Sequence, residues 1–232
     1  MAEPLRESQR YFADKAEAYR QSKTHANEDD LARMISWLGP KRGRALDVAT
    51  GGGHTARALR EAGFDVVSHD ATASMRPDVL SDAEALPFKS GSFDVVASRI
   101  APHHFPDIRK FCREASRVLR PGGQLYVFDL TTPIVKEHAA QIDEIERLRD
   151  PSHGHSWSSP EWRRALTGWN VERMETSTSE MDLEAWIARA QMRPEREVEL
   201  RRILAARPNL SGYGLTGDGK MRVLRVEILA RK

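Results

Sequence analysis

Residues 45–59, ALDVATGGGHTARAL, run from an apolar stretch with one acid through three consecutive glycines into a segment of helical character. A strand that turns on glycine straight into a helix is the opening unit of an open α/β sheet, whose ligand lies beyond the carboxyl ends of the strands. The following segments repeat the alternation. Strands are expected at 44–49, 65–69, 93–98 and 124–128, with a short one at 78–81. Helices are expected at 54–62, closed by Gly63, and at 107–119, where Phe111, Ala115, Val118 and Leu119 share a face and Arg120-Pro121-Gly122-Gly123 ends it. The 93–98 strand, with Phe93, Val95, Val96 and Ala97, is of the near-continuous apolar type expected inside a parallel sheet. The pattern predicts an α/β fold: a doubly wound, Rossmann-like, seven-stranded, mostly parallel sheet with an antiparallel last strand.

Two regions flank that core. Residues 11–38 read as helices, with Leu31, Met34, Ile35 and Leu38 at helical spacing and Gly39-Pro40 as the stop. After residue 130, helices are expected at 136–149, 160–166, 183–191 and 195–206, and a strand at 171–177. The last strand, 221–230, follows the turn Thr216-Gly217-Asp218-Gly219 and is expected antiparallel at the sheet edge. The 183–206 helices lie between the last two strands, and we read them, with the N-terminal helices, as a cap over the site.

Composition narrows the function. The 232 residues carry 36 basic and 34 acidic side chains, a formal charge of +2. That balance provides no basic stripe, so no nucleic-acid partner is expected. The lone cysteine, Cys112, permits no internal disulfide. It sits beside the apolar face of its helix and reads as an inert, buried or half-buried thiol. The first residues, MAEPLRESQRYF, have no apolar run of a signal peptide, and no segment is long and apolar enough for a membrane span. A soluble cytoplasmic protein is expected.

Two ligands suit the glycine turn. Gly51-x-Gly53-x-x-Ala56 has the spacing of a nicotinamide-dinucleotide site, where the helix start would meet a pyrophosphate and Asp70 the ribose. S-adenosylmethionine also passes close to a glycine turn and also has a ribose. Charge separates them. Asp47, Asp70 and Asp82 fall near the switch point, and no Lys or Arg lies between Ala45 and Ala56. Three carboxylates favour a sulfonium- and ammonium-bearing ligand over an anionic pyrophosphate.

The segments SDAEALPFKSGSFDVVASR and RVLRPGGQLYVFDL resemble the class I S-adenosylmethionine-dependent methyltransferases of the subgroup that includes the UbiE-type quinone C-methyltransferases. The runs RIAPHHFPDIRKFCREASRVLRPGG and ERLRDPSH resemble, more narrowly, the YcgJ-type bacterial enzymes. The resemblance spans about residues 22–232. It implies S-adenosylmethionine as donor and S-adenosylhomocysteine as product. Asp47 would lie near the methionine ammonium, with Ala49, Gly51 and Gly53 lining the turn. Asp70, with Ala71 beside it, would bind the ribose hydroxyls. Met75 would pack on adenine, and Asp82 and Ala83 would meet its edge. Arg99 would lie beneath the methionine part, and Ser22 and His25 would close over the cofactor. The expected organisation is one methyltransferase domain over 1–232: N-terminal cap helices at 1–40, the cofactor-binding core at 41–130, and the rest of the sheet at 131–232 with a cap insertion at about 182–214. The sequence departs from the family in two places. Ala49 stands where a glycine is usual. Asp70 and Asp82 are joined by a short link containing Pro77, where relatives carry a full helix. One sheet face would be partly uncovered there, so a monomer or a homodimer is expected.

Methyl transfer from a sulfonium needs alignment above all, and a base only where the acceptor must lose a proton. His103 and His104 follow the fourth strand and are the candidates for such a base, His103 first. His153 and His155 form a His-x-His pair without a third ligand, too little for a metal; they read as a polar loop near the site mouth. Trp162 and Trp186 read as anchors of the cap helices, although an aromatic acceptor pocket stays open. The expected activity is methyl transfer to a small organic acceptor by in-line displacement. A catalytically silent cofactor binder acting through a partner, and an NAD(P)-dependent oxidoreductase, are the alternatives.

Overall fold

The computed structural model describes residues 11–21, 26–40 and 43–232. Strand β1 (Arg44–Val48) pairs in parallel with β2 (Asp65–Asp70) on one side and β4 (Phe93–Arg99) on the other. Strand β3 (Val79–Leu80) extends the sheet beyond β2, and β5 (Leu119–Leu130) extends it beyond β4, again in parallel. Strand β8 (Lys220–Arg231) runs antiparallel to β5, and β6 (Asn170–Asp182) antiparallel to β8. The order is β3-β2-β1-β4-β5-β8-β6, so the winding reverses between β1 and β4. A crevice opens at that switch point, at the carboxyl ends of the strands.

The sheet has the seven strands that the sequence predicts and one more. The extra strand, β7 (Gly214–Leu215), folds back on β8 through the Thr216–Lys220 turn, where Thr216 N–H donates to Lys220 O at 2.9 Å. The last strand is antiparallel but not at the edge. Val223, Val226, Ile228 and Ala230 of β8 are buried, whereas β6 is polar and largely exposed. A strand buried on both faces needs neighbours on both sides, and a charged strand suits the edge. Residues 120–123 end the preceding helix as expected, yet they already belong to β5 as a bulge opposite the start of β4, with Gly122 at φ +76°.

Helices cover both faces. Helices α2 (Glu28–Leu38) and α3 (His54–Glu61) place Leu31, Met34 and Leu59 against Ala45, Val95, Ala97, Tyr126 and Phe128. Helices α4 (Ile108–Val118) and α6 (Ser159–Ala165) place Phe111, Cys112, Ala115 and Trp162 against Leu46, Val48, Val96, Leu125 and Val127. Neighbouring residues on each strand thus serve opposite cores, as the pleat requires. Asn27 and Asp107 cap α2 and α4 with their side chains, Asn27 accepting from Asp30 N–H at 2.9 Å and Asp107 from Arg109 N–H at 2.9 Å. Helices α5 (Lys136–Arg149), α7 (Leu183–Ala188) and α8 (Pro194–Ala206) build a third cluster around Leu130, Ile145, Trp186, Leu200, Tyr213 and Val223. Leu130 ends β5 and Val223 lies near the start of β8, so this cluster stands at the crevice end of the sheet. The short helix α1 (Ala16–Arg20) precedes these in the chain.

Between β2 and β3 a single 3₁₀ turn, Ala73–Met75, replaces the helix usual at this place. Asp78 latches the shortened link: its carboxylate accepts from Ser68 N–H at 2.8 Å and Ser68 Oγ–H at 2.7 Å. Leu80 stays 57% exposed on this flank.

Candidate active site

The crevice is a cavity with about 930 Å³ of empty space. Its floor is the β1–α3 turn. Gly51 and Gly53 have φ +50° and +80°, left-handed values that a side chain resists. Gly52 serves another purpose: a Cβ there would lie 2.5 Å from the Tyr19 carbonyl oxygen. Helix α1 therefore closes onto the turn at this glycine, and His54 Nε2 lies 3.0 Å from the same carbonyl. The roof continues through Phe12, edge-on to the His104 ring at 5.0 Å, and through Lys15, whose ammonium donates to Ala190 O of the cap at 2.7 Å.

Two carboxylates organise the turn. Asp70, at the end of β2, accepts from Gly51 N–H through Oδ2 and from Thr72 N–H through Oδ1, both at 2.9 Å. Asp47 accepts from Ala56 N–H at 3.0 Å and from the Thr50 hydroxyl at 2.6 Å. Burial pushes Asp47 up to about 7 and raises Asp70 above the usual carboxylate range; their hydrogen bonds act in the opposite direction. Amides at a helix start that could cradle a phosphate are thus already engaged by acids.

Of the residues expected at the site, Ala49, Gly51, Asp70, Ala71, Met75, Asp82, Ala83, Arg99 and His104 line the cavity. Asp47 and Gly53 do not. They stand behind the wall, because Asp47 is spent on Thr50 and Ala56 and Gly53 only supplies the turn into α3. Asp47 therefore shapes the site through the loop. Ser22 and His25 lie outside the described residues. Arg99 is buried against the Phe128 ring, and its Nη2 lies 3.3 Å from Asp30 Oδ2, so its charge is balanced within the protein. With His69 pushed down to about 4 by burial and hence neutral, Asp70 and Asp82 leave the wall acidic.

Sequence reasoning missed part of the wall. Tyr19 and Phe12 enter from the roof, and Thr72 and His69 from β2 and its loop. Ile100 is the clearest omission. It has φ +54°, a left-handed conformation adverse for a β-branched residue, held by its N–H to Phe128 O at 2.7 Å. Ala49, facing it across the switch point, has φ +57°. Strained backbone at the ends of β1 and β4 marks this crevice as the functional end of the sheet. The middle glycine of the GGG run, Gly52, was the one signal in the sequence for the close approach of Tyr19.

The two histidines part company. His103 does not line this cavity but a smaller chamber beside it. Its Nδ1 lies 2.6 Å from Asp129 Oδ1, and its backbone N–H donates to Asp129 Oδ2 at 2.7 Å. Burial opposes charge on His103, but the adjacent Asp129 carboxylate outweighs it and lifts the imidazole above its ordinary value. His104 lines both spaces, and its Nδ1–H donates to Ser152 O at 3.0 Å. Burial, then the charge of His103, pushes His104 down to about 3, so it is neutral. His153 and His155 both bond to Asp143 and line neither space, and among the described residues no group of three or more His, Cys, Asp or Glu is arranged to hold a metal. Trp162 is fully buried under the sheet, and Trp186 anchors the cap.

Comparison with known proteins agrees with this geometry. Residues 46–127 match the family described as Methyltransferase domain. The chain is 31% identical over 208 residues to the uncharacterized methyltransferase YcgJ of Bacillus subtilis, covering 82% of each chain. The crystal structure of YcgJ superposes with a TM-score of 0.82 at 26% identity, over 89% of this chain and 99% of that one. A candidate methyltransferase of Bacillus halodurans C-125 superposes with a TM-score of 0.81 at 31% identity, over 88% and 99% of the two chains. The chain belongs to the class I, S-adenosylmethionine-dependent methyltransferase family, in the group of YcgJ.

Proposed function

We propose that the 930 Å³ cavity binds S-adenosylmethionine and that the chain transfers its methyl group to a small organic acceptor. One observation carries this reading. The turn amides of Gly51 and Ala56 are engaged by Asp70 and Asp47, and the wall keeps an acidic balance. A cationic ligand is drawn to such a wall, whereas a pyrophosphate finds the Gly51 and Ala56 amides already engaged and meets the Asp70 carboxylate where it needs free donors. When bound, the sulfonium supplies a methyl group already activated for in-line displacement. Asp70 offers its carboxylate to the ribose hydroxyls. Met75 would pack on the adenine, and Asp82 and Ala83 would meet its edge. Ala49 and Gly51 bring backbone close to the methionine part, and Arg99 stands beneath it, held by Asp30. Tyr19 and Phe12 close over the site and exclude water.

His103 is the base in this reading. The tautomer that donates Nδ1–H to Asp129 leaves Nε2 to accept a proton from the acceptor. His104, too weakly basic for that role, shapes the wall between the two spaces.

The test is calorimetric titration with S-adenosylhomocysteine beside NADPH, followed by detection of methylated product. Micromolar binding of the first ligand alone is the expected result. Preferential binding of NADPH overturns the donor assignment. Donor binding with no product from any acceptor in a broad screen favours a silent binder. Where a product forms with an acceptor that must lose a proton, the rate is expected to rise with pH through a midpoint above the ordinary imidazole value of about 6.5, since His103 must first lose its proton. His103→Gln is expected to lower kcat by about 10²-fold or more, and an unchanged kcat removes His103 from the mechanism.

A further inference from the structure

Beside the donor cavity lies a second chamber with about 480 Å³ of empty space, and the two share Tyr19, Ile100 and His104 as a common wall. Leu130, Trp186 and Val223 give the chamber an apolar side. Its charged lining is three arginines, Arg149, Arg189 and Arg225, against two acids, Glu146 and Asp150. These charges are not equivalent. Arg149 donates to Glu146 at 3.2 Å, and the other Glu146 oxygen accepts from the Tyr213 hydroxyl at 2.9 Å. Asp150 accepts from the Ser152 amide and hydroxyl at 2.9 and 2.6 Å. Asp129, the next acid toward Arg225, has both oxygens on His103.

Arg225 is different. It is 5% exposed, yet its Nε and Nη1 have no hydrogen-bond partner among the described residues. Its guanidinium lies over the Phe128 ring, at 5.7 Å. A buried cation with unfilled donors weakens a fold and is kept where something outside the chain fills them. Arg189 lines the same chamber, where burial, then repulsion from Arg149 and Arg225, pushes it down to about 10. Three guanidinium groups therefore line a partly apolar chamber, and of these Arg225 has buried donors without a partner among the described residues.

We propose that this chamber holds the acceptor, and that the acceptor is a small carboxylate with an apolar body, its anionic end on Arg225. The inference rests on the methyl-transfer reading. A carboxylate supplies the acceptor oxygens that Nε and Nη1 of Arg225 lack among the described residues. A planar carboxylate also matches the planar guanidinium. The apolar body lies on Leu130, Trp186 and Val223, and the reacting group faces the shared wall, past His103 and toward the donor. The in-line reaction needs this relation between two adjoining spaces.

The experiment measures binding of benzoate, benzamide and phenyl phosphate to the protein saturated with S-adenosylhomocysteine. The three share a ring and differ in charge. Benzoate is expected to bind at least tenfold more tightly than benzamide. Arg225→Gln is expected to abolish that margin, and Arg225→Lys to keep most of it, with S-adenosylhomocysteine affinity unchanged in both. Equal or absent binding of benzoate and benzamide to the wild-type complex overturns the proposal without recourse to any variant. Tighter binding of phenyl phosphate than of benzoate overturns the carboxylate assignment. Failure of S-adenosylhomocysteine to bind wild type refutes instead the donor reading on which the proposal stands.

Discussion

Replacing Asp70 by alanine puts the donor site at greatest risk. The carboxylate has two tasks. It ties the glycine turn to β2 through the Gly51 and Thr72 amides, each at 2.9 Å, and it offers negative charge to the ribose hydroxyls. A hydrogen bond to a charged group contributes about 1.5–3 kcal/mol. Two bonds to the ribose must share the carboxylate with the backbone donors, so the lower figure applies to each. Together they amount to about 3 kcal/mol, or roughly a 100-fold loss of S-adenosylhomocysteine affinity. The variant also strands two backbone N–H groups. Because they border an open cavity that water can reach, the cost is about 1 kcal/mol for each, at the low end of the range for unpaired groups. For a domain of this size that lowers Tm by roughly 4–8 °C. Calorimetry reads the first effect and thermal melting the second. A variant that melts with wild type and binds S-adenosylhomocysteine within about threefold of it refutes the assignment of Asp70. A lower Tm with unchanged affinity reduces Asp70 to a loop clamp.

Two further outcomes concern the loop itself. Asp47 is raised to about 7 in the fold, whereas in the unfolded chain it titrates near about 3.9. Between about pH 4 and pH 7 the folded protein holds a proton that the unfolded chain has released, so stability falls as pH rises, by on the order of 4 kcal/mol over the whole window. Urea midpoints of wild type and Asp47→Asn at pH 4.5 and 7 check this: the difference between them should narrow at the lower pH, and a widening contradicts it. Ala49→Gly removes a left-handed alanine at φ +57° and is expected to raise stability by about 1 kcal/mol, read as a higher urea midpoint. A lower midpoint would show that packing of the Ala49 methyl outweighs its backbone strain.

Much of the protein was legible in its sequence because the responsible forces act over a few residues. The period of apolar side chains marked α4, down to the buried Cys112, whose thiol burial pushes up to about 12. Three glycines after an acid-bearing strand marked the turn, and the spacing of Asp70 from Asp82 announced the missing helix that the Ala73–Met75 turn replaces. Even the preference for a cationic ligand over a pyrophosphate was argued from local composition, since the acids that hold the turn lie on the strand before it and at the end of the next.

What the tertiary structure alone decided comes from groups far apart in the chain. Strand order does not follow from a strand's own pattern, so the position of β8 inside β6 had to be seen. Tyr19 reaches Gly52, Lys15 reaches Ala190, and His103 finds Asp129 only once the sheet is wound. Asp47 was drawn to the wall by its motif, but its hydrogen bonds put it behind the wall. Arg225 was one more charged residue on an alternating strand. Its meaning lies in the partners that Nε and Nη1 lack among the described residues, a lack that arises only once folding has buried the guanidinium beside Phe128.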